Sequence, residues 1–239
     1  MQAETPSLPI ANLLLSRLPR REHQRIQQLC ETVQLTFGSQ LCEADRPYRY
    51  LYFPLTAFIS LVTSLDQRPG LELGLIGNEG MLGATLALDI NAAPSRAMVQ
   101  GTGSALRISA NTLRRALGEC PKLRRVLQHY VYVQLTQITQ NAACAHFHEL
   151  EPRLARWILM THDRAHCNRL QLTHEFLADM LGVRRSGVTI AAGALQLRQL
   201  IQYSRGQITI LDRSGLEALA CGCYEALKAD YTRFFPASV

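Results

Sequence analysis

No apolar run in the sequence approaches the roughly 18–20 residues that a membrane-crossing helix needs; Leu13 to Leu15 is among the longest. The opening MQAETPSLPI carries Glu4 and no basic stretch ahead of an apolar one, so no secretory leader is read there. Seven cysteines (30, 42, 120, 144, 167, 221 and 223) make an odd, scattered set that does not suggest a disulfide framework, and a thiol-reduced, cytoplasmic protein with no membrane partner is expected. Internal repeats and low-complexity stretches are missing too. So is any recognisable spacing of a nucleophile with a base, a metal triad or a phosphate-transfer loop, and the chain is not expected to be an enzyme.

Lysine is scarce: Lys122 and Lys228 are the only two among 25 basic residues. Against 19 acidic residues this leaves a net charge of +6, which favours a polyanionic partner. Arginine's planar fork suits phosphate and guanine edges, although a GC-rich coding sequence produces the same bias. With 47% hydrophobic and 18% charged residues over 239 positions, the chain can bury one large core or two smaller ones.

From about Gln34 to Ile108, short β-branched and aromatic runs alternate with Gly, Pro, Asp and Asn. They are Tyr48–Phe53, Ala57–Thr63, Leu71–Ile76, Arg96–Gln100 and Ser104–Ile108, and their spacing predicts a sandwich or barrel. Helical periodicity follows, with Asn111 or Thr112 as cap candidates for a short helix and Pro121 in the first turn of a longer one. Along that longer helix Leu127, Val131, Leu135, Ile138, Ala142 and Ala145 form one apolar stripe, and Val126, Tyr130 and Val133 a second. Two stripes predict one face on the β domain and the other, from Leu127 to Ala142, on the same helix of a second chain. Beyond Pro152, Arg153–Met160 reads as helical, Thr173 caps a further helix and Gly182 ends it. Ile201–Leu211 reads as a hairpin about Arg205–Gly206, and Asp212 or Ser214 caps one C-terminal helix running to about Tyr231.

The most specific segment is Thr173–Leu195. Two short helices that cross steeply need a small residue at the contact, a residue tolerant of positive φ at the turn and an apolar anchor in the second helix. Ala178, Gly182 and Val188 supply these, with Leu177, Leu181, Leu195 and Leu200 completing the apolar face. The start of the second helix then offers Arg184, Arg185, Ser186 and Thr189 to a major groove, with Thr173 beside it and Arg205 at the tip of a wing-like hairpin. From Arg184 to Leu211 there are four basic residues and no acidic one.

With these features in order, the chain resembles the Crp/Fnr superfamily of bacterial transcription regulators, of the cyclic-AMP receptor protein type. The resemblance implies an α+β fold: a cyclic-nucleotide-binding-like β-roll (a jelly roll) over residues 1–120, a long dimerisation helix over 121–149, and a winged helix-turn-helix over 150–239. It places Arg185 at the family's base-reading arginine, Ser186 where an acidic residue often stands, and Ile190 where a second reading arginine stands. Gly77–Gly83 and Pro94–Gln100 look like the family's phosphate cassette. Met81 replaces its ribose-binding carboxylate, however, and Ser95–Arg96 inverts its Arg–Ser pair. Gly80, Met81, Gly83, Ser95 and Arg96 thus mark the effector region, where the amides of Gly80 and Gly83 with Arg96 suit some other anion.

No cofactor is expected: not cyclic AMP, for want of the ribose carboxylate, not an iron–sulfur cluster, since Cys30 and Cys42 stand alone, and not haem. Cys144-Ala-His-Phe-His148 and His162-x-x-x-His166-Cys167 have spacings a metal can use, but no metal is assigned. Cys221 and Cys223 fall within the C-terminal helix pattern, where they would face different ways. The reading is a homodimeric, sequence-specific DNA-binding regulator of a pseudo-palindromic site, with RNA polymerase as a further partner and an unidentified small-molecule effector. The rival is a sensor whose main output is protein contact, with weak DNA affinity.

Overall fold

The computed structural model describes residues 11–63, 70–165 and 167–236. A short 3-10 turn, Leu15–Arg17, and helix α1 (Arg20–Leu29) precede the β region, with Leu14, Leu15 and Ile26 pinned into its core. Two antiparallel sheets follow. One has the order β1 (Glu31–Leu35), β7 (Gly103–Ser109), β3 (Tyr50–Pro54); the other has β2 (Gln40–Cys42), β6 (Arg96–Gly101), β4 (Phe58–Thr63), β5 (Leu71–Ile76). The five runs read from the sequence are β3 to β7. β1 and β2 escape that reading because they are polar, largely exposed edge strands, where no hydrophobic alternation is required.

Helix α2 (Ala110–Glu119) is capped by Ser109, whose Oγ accepts from the Thr112 amide at 3.2 Å; the cap lies two to three residues ahead of the expected Asn111 or Thr112. Pro121 then opens α3 (Pro121–Phe147), 27 residues or roughly 40 Å long. Leu123, Val126, Leu127, Tyr130 and Val133 seat it on the β core. Leu127 is fully buried there, so it has no surface to offer a second chain. Val131, Leu135, Ile138 and Ala142 remain at least partly exposed and continue a 4-3-4 spacing that, extended backwards, falls on Gln128 instead of Leu127.

The C-terminal region has a separate core built on α4 (Leu150–Ala165), α5 (His174–Leu181), α6 (Arg185–Leu197), α7 (Arg213–Leu219) and α8 (Cys223–Phe234), with a small sheet ordered β8 (Arg169–Gln171), β10 (Gln207–Ile210), β9 (Ile201–Ser204). Where one C-terminal helix is expected, two form. Asp212 caps α7 through the Gly215 amide, and the chain breaks at Ala220–Gly222 before α8 starts. Phe58 and Leu75 of the β domain join this second core, so the two halves share an apolar seam. Among the described residues no helix is long and apolar enough to cross a membrane.

Candidate nucleic-acid interface

The turn between α5 and α6 is a Schellman motif. The Val183 amide donates to the Ala178 carbonyl at 2.9 Å and the Gly182 amide to Asp179 at 3.1 Å, with Gly182 at φ +65°. Thr173 caps α5, its Oγ1 accepting from the Phe176 amide at 3.1 Å. Leu177, Val188 and Leu195 are completely buried and lock α6 against the rest of the unit. What remains outside is the opening of α6: Arg184, Arg185, Ser186, Thr189 and Ile190 are all exposed, Ile190 to 74%. Arg184 stands at the N-cap without a side-chain cap bond, so two exposed guanidinium groups stand at the positive end of the helix, the arrangement that attracts phosphate.

Beside this helix the hairpin β9–β10 turns through Arg205 (φ +50°) and Gly206 (φ +76°), a two-residue turn with both central residues left-handed, as a type I′ hairpin requires. Arg205 is exposed at its tip. A residue that the sequence did not single out joins wing to helix. His174 stacks on Tyr203 of β9 at 4.2 Å between ring centroids, and its Nδ1 shares a 3.0 Å hydrogen bond with Thr189 Oγ1. Burial, and then the charge of Arg185, lower the His174 pKa, which favours a neutral ring. Thr189 also donates to the Arg185 carbonyl at 3.1 Å, so its hydroxyl is oriented within the fold. A histidine one residue inside a helix start gives no sequence signal of this; the wing has to be in place for the stack to exist.

The chain's C-terminal half carries a recognised signature. Residues 152–219 match the family described as the Crp-like helix-turn-helix domain. This chain carries a Crp-like helix-turn-helix domain. Solved structures agree over most of the length. A Crp/Fnr-family transcriptional regulator from Eubacterium rectale has a TM-score of 0.65 at 18% identity, covering 86% of this chain and 96% of that one. FixK2 from Bradyrhizobium japonicum has a TM-score of 0.65 at 15% identity, covering 81% and 98%. The c-di-GMP responsive regulator CLP from Xanthomonas campestris has a TM-score of 0.63 at 15% identity, covering 80% and 99%. No curated protein sequence matches the chain.

The Gly77–Gly83 and Pro94–Gln100 segments are built differently from the effector site expected of them. Met81 is fully buried and Ser95 is 4% exposed, so neither presents a surface to a ligand. A Cβ on Gly80 would lie 2.0 Å from the Tyr130 hydroxyl oxygen, and one on Gly83 2.3 Å from Leu51; these glycines make room for core side chains, not for phosphate. Arg96 is part-exposed. The cassette's Glu79 turns towards the recognition domain and pairs with Arg164 of α4 at 2.7 Å, both side chains largely buried. These two residues flank a cleft of about 430 Å³ between the β domain, α3, α4 and α8, lined also by Tyr130, Gln134, Met160 and Tyr231.

The remaining motifs separate. His162 bonds Asn168 Oδ1 at 2.8 Å, while its sequence partner His166 lies outside the described residues. Cys30 and Cys42 are held singly, and burial pushes both thiols up, to about 12 and about 11. Cys144, His148, Cys221 and Cys223 come together, because the break before α8 lets both members of Cys221-Gly-Cys223 face the end of α3.

Proposed function

We propose that this protein is a homodimeric transcription regulator that reads a two-fold-symmetric DNA site with α6 and grips the flanking backbone with its wing. The observation that carries the reading is the exposed opening of α6, where Arg184, Arg185 and Ser186 stand clear of a fully buried anchor row. Arg185 is the base reader, suited to guanine O6 and N7. Thr189 and Ile190 lie one turn further along, and Ile190 offers an apolar contact to a thymine methyl where a second arginine would read guanine. Arg184, Arg205 and the Thr173 hydroxyl supply phosphate contacts that set register.

The dimer forms through α3, on Val131, Leu135, Ile138 and Ala142. Leu135 is 59% exposed in the single chain and Tyr132 beside it 50%, an apolar face that two parallel copies would cover. Paired copies would set two α6 helices about one helical turn, roughly 34–36 Å, apart on DNA. An effector acts through the cleft beside Glu79 and Arg164, because the cassette's own interior is filled by Met81 and Leu51.

The test is selection and sequencing of genomic fragments retained by the full-length protein at about 0.15 M salt, where non-specific attraction is screened. Recovery of a palindromic motif, flattened at one position per half-site by Arg185→Ala, is expected. Fragments without a shared motif, or a motif unchanged by the substitution, would refute base reading by α6 and leave a sensor that works through protein contact.

A further inference from the structure

We propose that Cys144, His148, Cys221 and Cys223 form a Cys3His site for a single zinc ion that staples the end of the dimer helix to the C-terminal segment. The four ligand atoms all lie within 4.8 Å of one another. Cys144 Sγ and Cys221 Sγ are 3.5 Å apart, and Cys223 Sγ and His148 Nδ1 are 3.4 Å apart. Zn–S bonds of about 2.3 Å and Zn–N bonds of about 2.0 Å, arranged tetrahedrally, put neighbouring ligand atoms roughly 3.5–3.8 Å apart, so both measured pairs already stand close to the required separation. Four donors gathered this closely surround one ion; an iron–sulfur cluster distributes its four protein ligands over two or more irons and needs some of them further apart.

The chemistry of the surroundings agrees. Three soft thiolates and an imidazole select a thiophilic tetrahedral cation, and three of the four side chains are buried, which leaves no open coordination position. Binding a dication displaces three thiol protons and leaves the centre with one net negative charge. Two buried cations of α4, Arg153 and Arg156, lie near the cluster, and among the described residues Arg156 Nε has no hydrogen-bond partner. Gln140 Nε2 donates to Cys223 Sγ at 2.9 Å, the kind of outer hydrogen bond that orients a ligand.

The ligands come from two places far apart in sequence. Cys144 lies in the last turn of α3 and His148 is its C-cap, while Cys221 and Cys223 flank the break between α7 and α8. The ion therefore closes a loop of 77 residues that contains the whole recognition helix and wing, and it fixes α8 along α3, on which it packs. This is a structural clip at the hinge between dimer helix and recognition domain, independent of which DNA the protein reads.

The test uses the full chain, purified without added metal from zinc-replete cells under reducing conditions, with metal content measured after dialysis. One zinc per chain is expected in the wild type and in Cys167→Ser, an exposed cysteine outside the cluster, and loss of that zinc in Cys223→Ser and His148→Ala. Should these variants unfold, the chelated wild type titrated with Co²⁺ decides: thiolate-to-cobalt charge transfer with the visible bands of tetrahedral cobalt, saturating at one equivalent, supports the site. Zinc content equal in Cys167→Ser and Cys223→Ser, octahedral cobalt spectra, or a Cys144–Cys221 disulfide in the freshly isolated protein would overturn it.

Discussion

Replacing Glu72 by Gln should remove a pH-dependent weakness at the seam between the two halves. Glu72 sits on β5 and is buried; its Oε1 accepts from Trp157 Nε1 of α4 at 2.9 Å and its Oε2 from Ser60 Oγ at 2.6 Å. Burial carries its carboxyl from 4.5 up to about 7, against the opposing pull of those two hydrogen bonds and of Arg164 and Arg156. Ser60 also contacts the Gln100 side-chain amide, so the carboxyl sits in a buried polar cluster that water does not reach. Because the folded pKa is raised, the stabilisation is complete below about 4.5 and is lost as pH rises through about 7. From about pH 5 to about pH 8 this amounts to roughly 2.5 kcal/mol. The amide of Glu72→Gln still accepts from Trp157 and donates to Ser60 at every pH. Urea unfolding followed by the fluorescence of Trp157, the single tryptophan of the chain, should therefore find the variant more stable than wild type by about 2 kcal/mol near pH 8 and nearly equal near pH 5. Parallel stability curves for the two proteins across that range would refute the reasoning.

Arg185→Ala should cost about 1–3 kcal/mol on the preferred DNA site and relax discrimination at one base pair, whereas Arg205→Ala should weaken all sequences alike and lower the salt slope by about one; fluorescence anisotropy over a salt series separates them. Leu135→Glu should yield monomers in sedimentation equilibrium with stability changed by less than about 0.5 kcal/mol, while Leu127→Ala should cost about 2–5 kcal/mol because that side chain lies in the core. Gly182→Ala should destabilise by about 1–2 kcal/mol in denaturant titration, from its positive φ, since the Leu71 Cδ1 that its Cβ would meet at 2.9 Å is a flexible side-chain end and can move.

The recognition unit was legible because its requirements are local. Thr173, Ala178, Gly182 and Val188 each meet a need set within a few residues, and the Arg205–Gly206 turn is fixed by two consecutive left-handed positions. β3 to β7 were legible through aromatic and β-branched runs with turns between them; β1 and β2 lack such runs because most of their residues are exposed or only half-buried. Periodicity shows that α3 has two apolar faces but not which one the chain itself consumes, so Leu127 reads as part of the outer stripe although it lies in the core. The C-terminal break was hidden in a run that reads as continuous helix, and with it the convergence of Cys221 and Cys223 on Cys144. The Glu79–Arg164 pair joins positions 85 apart and needs the topology before it can be seen.

The contacts that join the β domain to the C-terminal unit through Leu71, Glu72 and Glu79 share a single strand and the turn after it. Leu71, at the start of β5, abuts Gly182 in the helix-turn-helix; Glu72, the next residue, holds Trp157; and Glu79, in the turn after β5, holds Arg164. Trp157 and Arg164 are seven residues apart on α4, two helical turns, so both bonds grip one face of that helix. A shift of β5 along its own direction would therefore pull α4 and the α5–α6 turn together instead of bending the recognition unit internally. Met81 in the same turn is buried in the β core and takes no part in this linkage, which runs through Glu79 where it meets the cleft.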